Sequence, residues 1–239
     1  MNLILLEPSE LVDGEALLGG RRARHIAGVI RPAVGDTLRA GVVGGATGDA
    51  EVLALAPGSV RLALRLGDDS PGVPRAHLVL AVPRPKVLGR VVQALGALGV
   101  ARLDLVNAWR VDKSYFGSPA LEPASIRRAL RVGAEQGATT WLPPFRVHRR
   151  LMAYLEDPPP EPALRVVAHP RSSTPLESIV TPGPADCLVA VGPEGGWIDR
   201  EVETFERRGF EPVTLGPAIL RTEQAVAVVL GQLALLERL

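Results

Sequence analysis

The sequence predicts a two-part α/β chain: a small β-rich domain over residues 1–70, then an α/β domain on a parallel sheet over 74–239. Three observations carry this reading. The first 66 residues hold short apolar runs separated by glycine turns. A polar stretch rich in breakers, Asp68-Asp69-Ser70-Pro71-Gly72-Val73-Pro74, then interrupts the pattern. Beyond it, apolar strands alternate with helix-length periodic segments, as parallel strands covered on both faces require.

In the first part, residues 2–6, 37–43, 50–56 and 60–66 read as strands, with alternation clearest in Val60-Arg61-Leu62-Ala63-Leu64-Arg65-Leu66. Gly44-Gly45-Ala46-Thr47-Gly48-Asp49 reads as a hairpin connection, since no helix pattern follows it to form a phosphate cradle. Residues 21–30 predict a short helix with Ile26, Val29 and Ile30 on one face and Arg21, Arg22, Arg24 and His25 on the other. In the second part, 76–82, 102–106, 163–168, 187–191 and 212–215 predict strands, and 87–98, 124–136, 201–208 and 222–236 predict helices. The run Asp157-Pro158-Pro159-Pro160-Glu161-Pro162 predicts a surface loop.

Composition narrows the class. A hydrophobic share of 46% with mean hydropathy +0.17 excludes a disordered chain. The aromatic share of 4% argues against a surface built mainly from stacked rings. A lone cysteine, Cys187, excludes an internal disulfide framework and fits a reducing compartment. No apolar run approaches the roughly 20 residues that span a bilayer, and residues 1–6 lack the flanks of a signal peptide. The expectation is a cytoplasmic protein with no membrane partner. Charge is uneven: residues 71–150 carry thirteen Lys and Arg against four acids, and residues 151–239 seven against thirteen. Such a field attracts a polyanion, although solvated helix faces give the same counts.

Two segments carry the chemistry. In Val191-Gly192-Pro193-Glu194-Gly195-Gly196-Trp197 a buried strand runs into a glycine turn, and a helix follows with Asp199 as expected N-cap and Glu201 and Glu203 in its first turn. Open α/β sheets bind ligands outside the carboxyl ends of their strands, and Gly195 and Gly196 allow positive φ and close approach to a flat ligand. No G-x-G-x-x-G and no Walker lysine is present, and a tight turn without ligand fits the same residues. The second segment is Leu215-Gly216-Pro217-Ala218-Ile219-Leu220-Arg221-Thr222-Glu223-Gln224-Ala225, in which Thr222 is the expected cap of the last helix. Arg221 and Glu223 would stand at the same rim, where a surface ion pair is the bland reading. His148 and His169 lack metal-ligand spacing, and no Gly-x-Ser-x-Gly elbow supports a hydrolase, so no metal is expected.

Together these segments resemble the RsmE family, the ribosomal RNA uracil-N3 methyltransferases of the SPOUT class. The resemblance extends to Arg24-His25-Ile26-Ala27-Gly28-Val29-Ile30-Arg31 with Gly35-Asp36, to Leu98-Gly99-Val100 and to Glu135-Gln136. It implies a PUA-like β-barrel before a SPOUT-type parallel sheet with a deep trefoil knot, and a homodimer completed at the knot. It also implies S-adenosyl-L-methionine held by Ala168, His169, Gly192, Glu194, Gly195, Gly196, Leu215, Gly216, Ile219, Leu220 and Arg221. Three departures stand out: Ala94-Leu95-Gly96-Ala97 lacks the family's Lys and Glu, Gly137-Ala138-Thr139-Thr140 lacks its Arg, and Ala218 and Gln224 replace an Arg and a Thr.

Under this resemblance Arg221 would stabilise charge on the base oxygens, and Glu194 or Glu223 would accept the N3 proton. The partner would be 16S ribosomal RNA or the small ribosomal subunit. It would be held by Arg22, Arg24, His25 and Arg31 in the first domain and by Arg84, Lys86, Arg110 and Lys113 in the second. Two other readings stay open: a SPOUT enzyme acting on a ribose hydroxyl or another base, and a non-catalytic RNA-binding relative.

Overall fold

Alternation along the first part builds a five-stranded sheet from β1 (Ile4–Leu6), β2 (Glu15–Gly19), β3 (Thr37–Val42), β4 (Thr47–Ala56) and β5 (Ser59–Leu66). The computed structural model describes residues 2–157, 162, 164–184 and 186–239. Strand order is β1-β3-β4-β5-β2, with β1 parallel to β3 and the remaining pairs antiparallel. Val60 and Leu62 of β5 turn inward onto Ile4, Leu6, Leu18 and Val52, while Arg61 and Arg65 face out. The expected hairpin connection tightens to a turn in which Val42 N donates to Ala46 O (3.1 Å) and Gly45 N to Val42 O (2.8 Å). β2 was not predicted: Leu17, 69% exposed, sits between buried Ala16 and Leu18 and masks the alternation.

The helix expected over 21–30 is corrected. Only α1 (Gly20–His25) is α-helical. It passes into a π-helical turn, Ile26–Ile30, closed by Arg31 N donating to Ile26 O at 2.7 Å. The wider turn rotates Val29 and Ile30 off the Ile26 face, so Ile26 is buried while Val29 is 68% exposed and Ile30 36%. This first unit comprises the chain up to Gly72 together with Arg131–Leu142. Within it Arg131 pairs with Glu7 and donates to Leu5 O, and the N–H groups of Asn2 and Leu3 donate to Glu135 O at 3.0 Å.

The second unit, Val73–Leu130 with Pro143–Leu239, carries the parallel sheet. Its strands are β6 (Ala76–Ala81), β7 (Arg102–Val106), β8 (Phe145–His148), β9 (Leu164–Ala168), β10 (Cys187–Val191) and β11 (Glu211–Val213). They lie in the order β11-β9-β10-β6-β7-β8, every pairing parallel. The helices are α2 (Pro85–Leu98), α3 (Pro123–Gly137, shared with the first unit), α4 (Leu151–Glu156), α5 (Asp199–Arg207) and α6 (Thr222–Leu236). Leu88, Val91, Val92 and Leu95 repeat at helical spacing and bury one face of α2. All five residues of β10 are buried, and burial pushes the Cys187 thiol up to about 12.

Two further elements escaped the sequence. β8 is a four-residue edge strand after two prolines, and α4 is too short to show a period. The expected loop at 158–161 and the first residue of the strand expected from Ala163 lie outside the described residues, as does Met1.

Candidate active site at the carboxyl ends of the strands

β9, β10 and β11 are neighbours running in one direction, so the loops that leave their carboxyl ends emerge on one side of the sheet. From β10 the chain turns through Gly192-Pro193-Glu194-Gly195-Gly196, closed by Gly196 N donating to Pro193 O at 2.8 Å. The positive φ falls at Gly196 (+71°) and not at Gly195, which corrects the expectation that both adopt it. Gly195 is closely approached instead. A Cβ there would stand 3.0 Å from Cδ of Arg110, whose guanidinium donates to Gly195 O at 2.5 Å.

The helix cap is also corrected. Asp199 is the first helical residue of α5, and Ile198 holds the N-cap position. Glu201, 2% exposed, accepts from Ile198 N at 3.0 Å and from Trp109 N at 2.8 Å. One buried carboxylate therefore fastens the start of α5 to the loop after β7.

From β11 the chain passes through Leu215-Gly216-Pro217-Ala218-Ile219-Leu220 into α6. Thr214 Oγ1 donates to Gly216 O at 2.9 Å, and Gly216 takes φ +135°. Arg221, not Thr222, is the N-cap of α6, and its N–H donates to Gln224 Oε1 at 3.0 Å. The buried Thr222 hydroxyl is thereby released to donate to Gly192 O at 3.2 Å, which ties the two glycine loops together.

Between these loops lies a cleft of about 780 Å³, counting its solvent-open mouth. Ala168, His169, Gly192, Glu194, Gly195, Gly196, Leu215, Gly216, Ile219 and Leu220 line it, with Pro193, Trp197, Ala218 and Ala225. Every predicted cofactor contact except Arg221 thus faces one space. Arg221 and Glu223 flank Leu220 and Thr222 in the chain but do not line the cleft; Arg221 is exposed and Glu223 half-buried. Glu194 accepts from Arg84 N at 3.0 Å.

His169 is held below the ordinary imidazole value by burial, reinforced by the Arg171 cation and opposed by Asp199 and Glu206. Its Nδ1 accepts from Arg171 N at 3.3 Å, a role that suits the neutral imidazole. Trp197 is 4% exposed and packs edge-on against Phe205 (4.9 Å), while its Nε1 is buried without a partner among the described residues.

Of the predicted RNA contacts, Arg84, Lys86, Arg110 and Lys113 are exposed in the second unit. In the first unit Arg24 and Arg31 are exposed and His25 is half-buried. Arg22 is committed elsewhere: it pairs with Glu10 and donates to Leu5 O at 2.9 Å, with its side chain only 16% exposed.

An RNA methyltransferase domain family matches residues 71–234. Over 97% of this chain the sequence is 31% identical to ribosomal RNA small subunit methyltransferase E of Treponema pallidum, covering 91% of that protein. The chain belongs to the ribosomal RNA small subunit methyltransferase E family. A second member of this methyltransferase E family, from Synechocystis, is 25% identical over 98% of the chain and 78% of its own length. The fold is shared with a Neisseria gonorrhoeae methyltransferase E solved bound to S-adenosyl methionine: TM-score 0.82 and 21% identity, covering 98% of both chains.

Sequence reasoning placed Glu201 in the first turn of its helix but missed its bond to Trp109 N, and missed Thr222 as a tie between loops. An acidic residue in the third helical position signalled a capping role for Glu201. Nothing local signalled its second bond, to a residue 92 positions away.

Proposed function

We propose that this member of the methyltransferase E family transfers the methyl group of S-adenosyl-L-methionine to N3 of a uridine in 16S ribosomal RNA. The observation that carries the reading is that both glycine loops wall one cleft, with Ala168 and His169 as its third side. The lining fits that cofactor. Glycine backbone and the apolar Ala218, Ile219 and Leu220 suit a flat purine, and the neutral His169 adds no positive charge against a sulfonium. When bound, the cofactor supplies an electrophilic methyl group.

The chain's own work is orientation and exclusion of water. The backbone of Gly192, Gly195, Gly196, Leu215 and Gly216 holds the nucleoside. Arg221, exposed next to Leu220 in the chain, swings toward the base oxygens and stabilises the charge that forms as N3 loses its proton. Glu194 or Glu223 accepts that proton. Arg24, His25, Arg31, Arg84, Lys86, Arg110 and Lys113 hold phosphates of the RNA.

The same reading takes the first domain as a PUA-like RNA-binding barrel over 1–70 and the second, 74–239, as a SPOUT domain with a trefoil knot. It makes the protein a cytoplasmic homodimer. Support for the dimer comes from α6, apolar around most of its circumference, which leaves Ala227, Gly231, Ala234 and Leu235 exposed along one side.

Titration with S-adenosylmethionine, followed by mapping of the methylated nucleotide in small subunits, tests the proposal. Cofactor binding with methyl on uridine N3 is expected. Methyl on a 2′-oxygen removes the N3 assignment, and no binding by the intact dimer favours a non-catalytic relative. Arg221→Ala should keep cofactor affinity within about threefold and slow transfer about 100-fold or more. Unchanged turnover removes Arg221 from the mechanism.

A further inference from the structure

The low aromatic content of this chain makes one ring conspicuous. Trp109 is 79% exposed, whereas Trp197, Phe205 and Phe210 are buried in a single edge-to-face stack. Leaving an indole in water forgoes the burial that most tryptophans obtain. Its backbone, by contrast, is fixed. Glu201 accepts from Trp109 N (2.8 Å), the neighbours Ala108 and Val111 are 5% exposed, and Asn107 is bonded on both sides of its peptide to the segment 148–151.

The next residue connects this ring to the cleft. Arg110 lies across Gly195 and donates to its carbonyl, so Trp109 stands one residue, about 3.8 Å along the chain, from a side chain that touches the glycine turn. The exposed side chains that follow Trp109 in the chain are Arg110, Asp112, Lys113 and Ser114, and Arg149 and Arg150 are exposed in the segment whose backbone bonds Asn107. A rigidly mounted, solvent-facing aromatic ring among cations is the arrangement that stacks an unpaired base while its phosphates are neutralised.

We propose that Trp109 is a base-stacking residue at the mouth of the cleft, positioning the target nucleotide or its neighbour in single-stranded RNA. This rests on the RNA substrate proposed above. Phe substitution preserves a stacking face and Ala removes it, so the pair separates stacking from mere bulk.

The test compares wild type, Trp109→Ala and Trp109→Phe for affinity to a labelled single-stranded oligouridine, for KM and kcat on small subunits, and for affinity to S-adenosylmethionine. For Trp109→Ala, oligouridine affinity should fall and KM rise roughly 5- to 150-fold. Cofactor affinity should stay unchanged, and Trp109→Phe should recover most of the loss. Equal behaviour of wild type and Trp109→Ala toward oligouridine overturns the proposal, as does a Phe variant no better than Ala. So does a Trp109→Ala effect confined to the monomer–dimer balance, which would place the ring in a protein interface. A wild type that binds oligouridine through Trp109 yet transfers no methyl would sink the proposed reaction and leave the stacking role standing.

Discussion

Replacing Glu201 with Gln changes one buried atom pair and separates two scales of electrostatic effect. Its two oxygens accept from the N–H groups of Ile198 and Trp109, and the residue is 2% exposed. Glutamine keeps one acceptor oxygen but presents an NH2 to the other backbone donor, leaving that buried N–H unsatisfied at a cost of about 1–3 kcal/mol. Removing negative charge from the first turn of α5 costs a further 0.3–1 kcal/mol or so. The sum is about 1.5–4 kcal/mol. In a chain of this length that corresponds to a fall in Tm on the order of 3–16 °C.

Glu203→Gln, two residues on in the same helix, is the control. Its partner Arg207 is 3.8 Å away and both side chains are more than 60% exposed, so the change should stay within about 0.5 kcal/mol. Thermal unfolding followed by circular dichroism checks both variants. Equal shifts for Glu201→Gln and Glu203→Gln would refute the claim that a desolvated carboxylate joins α5 to the Trp109 loop.

Three further outcomes follow from the cleft. Gly195→Val should drive Arg110 off the turn, since even a Cβ meets Arg110 at 3.0 Å, and lower S-adenosylmethionine affinity at least about tenfold. Gly196→Ala, at φ +71°, should cost about 1–2 kcal/mol of stability; cofactor titration and denaturant unfolding read the two variants. His169, whose folded pKa lies below its unfolded value near 6.5, binds its proton more readily when the chain is unfolded. Stability should therefore fall as pH drops from about 6.5 toward the folded pKa and hold steady above about 6.5. His169→Gln should flatten the Tm-against-pH curve in that interval, and an unchanged slope would exclude His169 as its source.

Local chemistry is legible in a sequence when neighbours in the chain are also neighbours in space. The strand–turn–helix units at Gly192–Gly196 and Leu215–Leu220 are of that kind: a strand, glycine, then helical periodicity, with all five strand residues buried in the first unit and Val213 in the second. So is the parallel sheet, because alternating strands and helices have few ways to cover apolar faces. Short or masked elements were not legible. β2 hides its alternation behind Leu17, β8 has four residues, and the π turn at Ile26–Ile30 moves two apolar side chains into solvent.

By itself the sequence determined which loops carry glycine and that two strand-to-helix crossings hold the candidate chemistry. Tertiary structure decided which groups those loops meet. Gly192 O receives the Thr222 hydroxyl from 30 residues away, Gly195 lies under Arg110 from 85 away, and Glu201 reaches Trp109 across 92. Arg22 looks like a free cation beside Arg24 until Glu10 and Leu5 O take its guanidinium. Turn and helix preferences are set by each residue's own backbone and immediate neighbours. A hydrogen bond between distant segments depends on where the whole sheet delivers them, which no local pattern encodes.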